Sequence, residues 1–270
     1  MNILPVIESS GVSVVGLVRE DNQDAILIHE NSHSSEIGHL FAIADGMGGY
    51  ACGSVASNMA LEAMARALFE SKSNTLSALR MGIEKANVGV YNTAQKMGVG
   101  RMGTTLTAAY LRHNTMFIAH VGDSRAYLIR QKRATCLTND HTTVGEMVRA
   151  KLISAGKIRT HANRSLLTRA IGVNLFVQPE ISKHNLLVGD RILLCSDGVW
   201  SVIEDSEFAE ISSENSVEET SHALVDLALQ RDSDDNASVV VFQINAYIDS
   251  TESVGVKNSN WFYKLRNFSR

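Results

Sequence analysis

Residues 104–129 read TTLTAAYLRHNTMFIAHVGDSRAYLI, and this stretch decides the fold class. Three β-type runs, Thr104–Leu111, Met116–Val121 and Ala126–Ile129, follow one another across four-residue gaps, the first ended by the turn candidate His113–Asn114. Gaps that short cannot hold a crossover helix, so the runs pair as antiparallel hairpins. Upstream lie three more runs bounded by turn residues, Val12–Val18, Ala25–His29 and Leu40–Ala44. From Val55 the period changes: Val55, Met59, Ala63 and Ala67 recur beside Ala56, Ala60, Met64 and Leu68, with Ser57, Asn58, Glu62 and Arg66 opposite. That is one buried stripe and one wet face of a helix. A second helical stretch covers about Leu76 to Gln95. Downstream come strands near Ile181–Val188 and Ile192–Cys195, a helix opened by the capping box Ser216-x-x-Glu219, and a last strand Ser238–Ile244. Strands mixed with helix pairs, without βαβ alternation, give an α+β architecture; two helix-covered sheets suit the count.

The 270 residues carry 29 acids against 25 Lys and Arg, a formal charge of −4, with 44% hydrophobic and 20% charged residues. That is an ordinary globular composition, which excludes disorder and collagen-like repeats, and its acidic balance argues against nucleic-acid binding. No run reaches the ~18 apolar residues of a membrane span, and Met1–Ser10 has no secretory signal. Three cysteines without a CxxC pair suit a reduced cytoplasmic protein. With only Pro5 and Pro179 and no linker or repeat, residues 1–250 read as one domain whose folded unit runs from about Gly11 to Ala246, and residues 251–270 as a basic aromatic tail.

Four aspartates stand where an apolar run meets a turn: Asp24, Asp45, Asp197 and Asp235. Each alone is a common turn residue. As a set they offer hard oxygen ligands, which suit Mg²⁺ or Mn²⁺ with remaining positions left to water. There is no HExxH and no histidine pair at metal-ligand spacing. His120 and Cys195, inside apolar runs, read as core residues.

In chain order, Arg19-Glu-Asp-Asn-Gln-Asp24, Ala44-Asp45-Gly46-Met-Gly-Gly49, Gly103-Thr-Thr105, Gly122-Asp123-Ser-Arg125, Leu137-Thr-x-Asp140-His141, Cys195-Ser-Asp197-Gly198 and Asp235-Asn236 resemble the successive motifs of the metal-dependent Ser/Thr protein phosphatases of type 2C, in their bacterial branch. The resemblance spans about Val12 to Ile244. It implies a four-layer sandwich of two antiparallel β-sheets flanked by helices, with a binuclear Mg²⁺ or Mn²⁺ centre at one end. On the family pattern Asp45 bridges the two metals, Asp24 and Asp235 sit around one, Asp197 around the other, and the Gly46 carbonyl is a ligand. Asp123 helps hold a third, weaker ion, and Arg19 grips substrate phosphate. The implied activity is hydrolysis of phosphoserine and phosphothreonine by a water readied at that centre, with phosphorylated proteins, a cognate Ser/Thr kinase included, as partners of a monomeric enzyme. The alternative is a phosphoprotein-binding relative without turnover.

The chain departs from the family pattern at Gln23, where an acid is frequent, at Met47, where many eukaryotic members carry a histidine, and at Ser201. None of these removes a ligand. Other readings fail on context. Asp232-x-Asp234-x-Asn236 lacks the Gly and Glu of an EF-hand loop. Gly98-x-Gly100-x-x-Gly103 follows a helix and precedes a strand, the reverse of a dinucleotide site. No Arg stands six residues after any cysteine, as thiol-based phosphate chemistry requires. Segment 141–172 carries six Lys and Arg against Glu146 and reads as a flap-like insert beside the metal site; its Arg159 and Arg164 are candidates for recognising acidic or phosphorylated substrate protein.

Overall fold

The computed structural model describes residues 3–31, 38–49 and 52–249. Two antiparallel sheets stack face to face. One follows the order β1 (Ile3–Val14), β11 (Ala237–Asp249), β10 (Arg191–Cys195), β7 (Arg125–Arg130), β8 (Arg133–Cys136). The other follows β2 (Asp24–His29), β3 (His39–Gly48), β5 (Leu106–Arg112), β6 (Thr115–Val121), β9 (Glu180–Asn185), with the short β4 (Met102–Thr104) paired to the end of β3. Helices α1 (Cys52–Glu70) and α2 (Thr75–Met97) cover the second sheet. Helices α5 (Asp205–Glu214) and α6 (Val217–Gln230), with the one-turn α4 (Asp197–Trp200), cover the first; α3 (Thr143–Arg149) lies in the insert.

Strand alternation builds the layers, because successive side chains face opposite ways. In β3, Phe41 and Ile43 enter the core between the sheets while Leu40, Ala42 and Ala44 meet α1 and α2. In β11, Val240 and Phe242 face the central core while Val239 and Val241 meet the other helices. Phe41 and Phe242 stack across the sandwich with ring centroids 4.1 Å apart. The result is helix, sheet, sheet, helix, the four layers expected.

Several boundaries differ from the sequence reading. The first strand begins at Ile3 and stops at Val14. Its early half is legible only in hindsight: Pro5 is tolerated because β1 is an edge strand. The chain then leaves the sheet, exposing Leu17 (65%) and Val18 (71%). The run at Thr104–Leu111 is split between β4 and β5, because Thr105 turns aside to bond Asp45. The strand placed at Ile181–Val188 ends at Asn185; Leu187 and Val188 are exposed ahead of Gly189, which has φ +88°. The folded unit reaches past Gly11 and Ala246 to Ile3 and Asp249. The basic aromatic tail lies outside the described residues. The α6 capping box forms as expected, Ser216 Oγ accepting from Glu219 N–H and Glu219 accepting from Ser216 N–H.

Candidate metal centre

All the carboxylates that the sequence singled out meet at one end of the sandwich. Antiparallel register sets Asp24, opening β2, directly opposite Asp45 in β3. Asp197 follows the end of β10, and Asp235 precedes β11, the strand paired with β10. Asp123 occupies the turn between β6 and β7. Asp45, Gly46, Asp123, Asp197 and Asp235, with Arg19 at the rim, line a cleft of about 650 Å³. Asp24 is buried beneath it, 5% exposed.

The backbone is clamped around these groups. Asp45 N–H donates to Thr105 Oγ1 (2.8 Å), while Asp45 O accepts from Thr105 N–H (2.8 Å) and Thr104 Oγ1 (2.9 Å). Thr105 Oγ1 is also 2.7 Å from Ser124 Oγ, which ties this clamp to the Asp123 turn. That turn needs its glycine: Gly122 has φ +113°, a conformation disfavoured for other residues. At Gly46 the reason is close approach, since a Cβ there would lie 2.2 Å from Gly53 O at the start of α1. His141 holds Gly122 through both ring and backbone, its Nδ1 accepting from Gly122 N–H (3.1 Å) and its own N–H donating to Gly122 O (2.7 Å). Burial pushes His141 down to about 3, so the ring is neutral.

Side chains to which the sequence reading gave no role of their own support the carboxylates and the backbone that carries them. Ser238 Oγ donates to Asp24 Oδ2 at 2.6 Å. Asn236 Oδ1 accepts from Gln23 N–H (2.9 Å) and its Nδ2 donates to Asp21 O (3.1 Å), stitching the loop before β2 to the start of β11. Trp200 Nε1 donates to Asp123 O (2.8 Å) and carries the Arg125 guanidinium 3.6 Å above its ring. Arg125 in turn forms a buried two-pronged pair with Asp140 at 2.9 and 2.7 Å. The signal that these residues belonged to the site was their adjacency to the motif aspartates. Asp140 and His141 support the structure around the Asp123 turn, and His120 is a core residue bonded to Thr107 Oγ1 and Asn139 O.

So much buried acid is costly without a cation. Burial, aided by Asp235 and Asp197, pushes Asp24 up to about 7 despite hydrogen bonds from Ser238 and Ser196. Burial and the neighbouring carboxylates push Asp197 up to about 6 and hold Asp45 and Asp123 well above the usual range. Among the described residues that line the cleft, the one cation is Arg19, with Nη2 2.6 Å from Asp235 Oδ2. Asp197 Oδ1 is buried with no hydrogen-bond partner, an oxygen left for a ligand that carries positive charge. Among the described residues, no three His, Cys, Asp or Glu side chains form a ready cage. An ion here would therefore rest on one or two carboxylates, a backbone carbonyl and water, the habit of Mg²⁺ and Mn²⁺ and not of zinc.

The family profile described as Protein phosphatase 2C matches residues 9–237, from β1 to the start of β11. The chain belongs to the protein phosphatase 2C family. It is 34% identical over 234 residues to the serine/threonine protein phosphatase PstP of Mycobacterium tuberculosis, covering 86% of this chain and 44% of that protein. It is 32% identical over 232 residues to a putative protein phosphatase 2C-type of Streptococcus pyogenes, covering 84% and 93%. The chain thus spans less than half the length of its mycobacterial relative and most of its streptococcal one. The solved structure of PstP/Ppp from Mycobacterium tuberculosis superposes with a TM-score of 0.80 at 33% identity, over 89% of this chain and 99% of that one. A catalytic domain of PstP solved with two manganese ions matches with a TM-score of 0.78 at 31% identity, over 91% and 100%.

The 2C-family fold leaves the insert against the cleft: Ser165 and Leu167 contribute to its wall. Three of the insert's six cations are spent on structure. Arg159 donates to Trp200 O (2.9 Å), Ile203 O (3.0 Å) and Asp205 (2.7 Å), and pairs with Glu204 at 3.2 Å. It is an anchor, so the expectation that it recognises substrate gives way to that role. Arg149 and Arg169 both pair with Glu146.

Proposed function

We propose that this chain is a metal-dependent phosphoprotein phosphatase that hydrolyses phosphoserine and phosphothreonine monoesters and so reverses Ser/Thr kinase signalling. The observation that carries the reading is the convergence of Asp45, Asp123, Asp197 and Asp235 on one cleft, with Asp24 buried opposite Asp45, a buried oxygen on Asp197 without a partner among the described residues, and Arg19 at the rim. In this reading Asp24, Asp45, Asp197, Asp235 and the Gly46 carbonyl hold two Mg²⁺ or Mn²⁺ ions, with Asp123 at a third, weaker site. When bound, such ions supply Lewis acidity, activating water at neutral pH and neutralising phosphoryl charge. Arg19, released from Asp235, presents a planar fork to two phosphate oxygens, which orients the phosphoryl group as well as binding it. Met47 has no proton to give, so the residue at that position is not the proton donor to the leaving oxygen. We place the activity in the cytoplasm, on phosphorylated proteins that include a cognate kinase. The unpaired state of Cys52, Cys136 and Cys195 supports a reducing compartment, and no helix among the described residues is long and apolar enough to cross a membrane.

The test is manganese-dependent phosphate release from a phosphothreonine peptide. EDTA is expected to abolish it, and Asp45→Asn to lower it by about two orders of magnitude or more. Release that continues in EDTA would overturn the metal assignment. Binding of phosphopeptide with no release under any metal would establish the non-catalytic alternative.

A further inference from the structure

Beside the acidic cleft lies a second cavity of about 360 Å³, between the end of α2, β4 and the base of the insert. Met47, Ser165 and Leu167 line both spaces, so the two are separated by one layer of side chains. The chemistry changes across that layer. The first space is lined by carboxylates; the second is walled by Tyr91, Val99, Met102 and Val173 and has no acid among its described lining residues. Its positive groups are Arg101, whose side chain has no partner among the described residues, and Arg169, held by Glu146 and His141. Among its lining residues, Leu166 of the insert and Val173 just after it leave large apolar side chains in water, 59% and 49% exposed, and Phe176, three residues further along the chain, is 86% exposed. Such a patch marks an interaction surface, and its continuity with the cleft says what is bound there.

We propose that this cavity is a specificity subsite for the polypeptide around the phosphorylated residue, taking a large aliphatic side chain of the substrate, with an acidic neighbour of that side chain meeting Arg101. The proposal rests on the phosphatase reading above and adds to it a substrate class: phosphosites flanked by an apolar residue and an acid. At ~3.3 Å per residue of extended chain, a wall one side chain thick is crossed in about two or three residues. Met47 suits that wall, because an unbranched thioether adapts its shape to what it touches. Arg101 supplies the charge that discriminates among apolar ligands.

The experiment compares phosphothreonine peptides carrying Leu or Ser at the second and third positions on either side of the phosphoresidue, hydrolysed by the full chain with manganese. Leu at one of these positions is expected to raise kcat/KM roughly tenfold, through KM, as burial of a single aliphatic side chain allows. The Leu-to-Ser ratio is expected to fall to near one in Val173→Asp. The same fall is expected in Gln95→Trp, which fills the cavity from an exposed position of α2. A glutamate beside the Leu should improve KM severalfold, and that gain should vanish in Arg101→Ala. Equal hydrolysis of Leu and Ser peptides at all four positions would overturn the subsite and leave the phosphatase reading standing. A preference that survives both cavity variants would also overturn the subsite. Failure to hydrolyse any of the peptides would overturn the phosphatase reading and the subsite together.

Discussion

At the scale of single residues, the cleft depends on groups that never reach its surface. Asp24 is the clearest case, because burial drives it toward the neutral acid while Ser238 and Ser196 draw it back toward the carboxylate. A cation and a proton compete for the same oxygens. Removing the Ser238 hydroxyl therefore favours the proton. Ser238→Ala is expected to weaken manganese affinity by about tenfold at neutral pH, within the range for partners that hydrogen-bond a ligand. The loss should shrink as pH rises and the proton ceases to compete. Calorimetric titration with manganese at two pH values checks this; an unchanged affinity at neutral pH would show that the serine does not tune Asp24. The serine's role was not legible in the sequence. Asp24, Asp45, Asp197 and Asp235 could be singled out because each interrupts an apolar run at a turn, which is local information. That Ser238 touches Asp24 follows from β11 passing beside β1 and the start of β2, which no local pattern encodes.

At the scale of elements, legibility followed the strength of the apolar period. The strands β3, β5, β6, β10 and β11 alternate between two buried faces and could be read directly. The segments β8 and α5 could not: β8 is a short edge strand of sequence Arg-Ala-Thr-Cys with little buried surface, and α5 buries only Phe208, Ala209 and Ser212. The insert shows a different limit. Its positive charge is plain in the sequence, but whether a cation faces solvent or a carboxylate depends on the docking of α4 and α5. Arg159 ties the insert to the carbonyls of Trp200 and Ile203 and to Asp205. Its side chain is only 15% exposed, so its loss takes the donor from two carbonyls and leaves Asp205 with the Tyr127 hydroxyl alone. Arg159→Ala is expected to free the insert locally, at a cost of roughly 1–3 kcal/mol to its docked state. Limited proteolysis should cut between residues 150 and 165 faster than in the wild type while the rest of the chain stays resistant. Unchanged cleavage there would mean that the insert is held elsewhere.

At the scale of the whole molecule, the two sheets bring β2, β3, β6, β10 and β11 to a common edge, and the fold carries the electrostatic cost of what they gather. In the metal-free protein Asp24 titrates near 7 and Asp197 near 6, while Asp45 and Asp123 lie well above the usual range. In the unfolded chain all of them return to about 3.9. Between those values the folded state holds more protons than the unfolded one, so its stability falls as pH rises. The penalty is absent below about pH 4, grows as pH rises through the range in which Asp197 and then Asp24 ionise, and is fully in force for both above about pH 8. Arg19, through its pair with Asp235, offsets part of the charge but not the burial. Manganese at saturation should lift the penalty, releasing protons as it binds. Its stabilising effect is then small near pH 5 and large near pH 8. At a hundred times Kd the linkage is worth about 2.7 kcal/mol, which for a domain of this size is a rise in Tm of about 5–10 °C. Thermal unfolding with EDTA and with a fixed excess of manganese, repeated from pH 5 to pH 8, should show the two curves diverging with pH. Curves that run parallel would mean that the ion binds without displacing protons, and that the buried carboxylates are not its ligands.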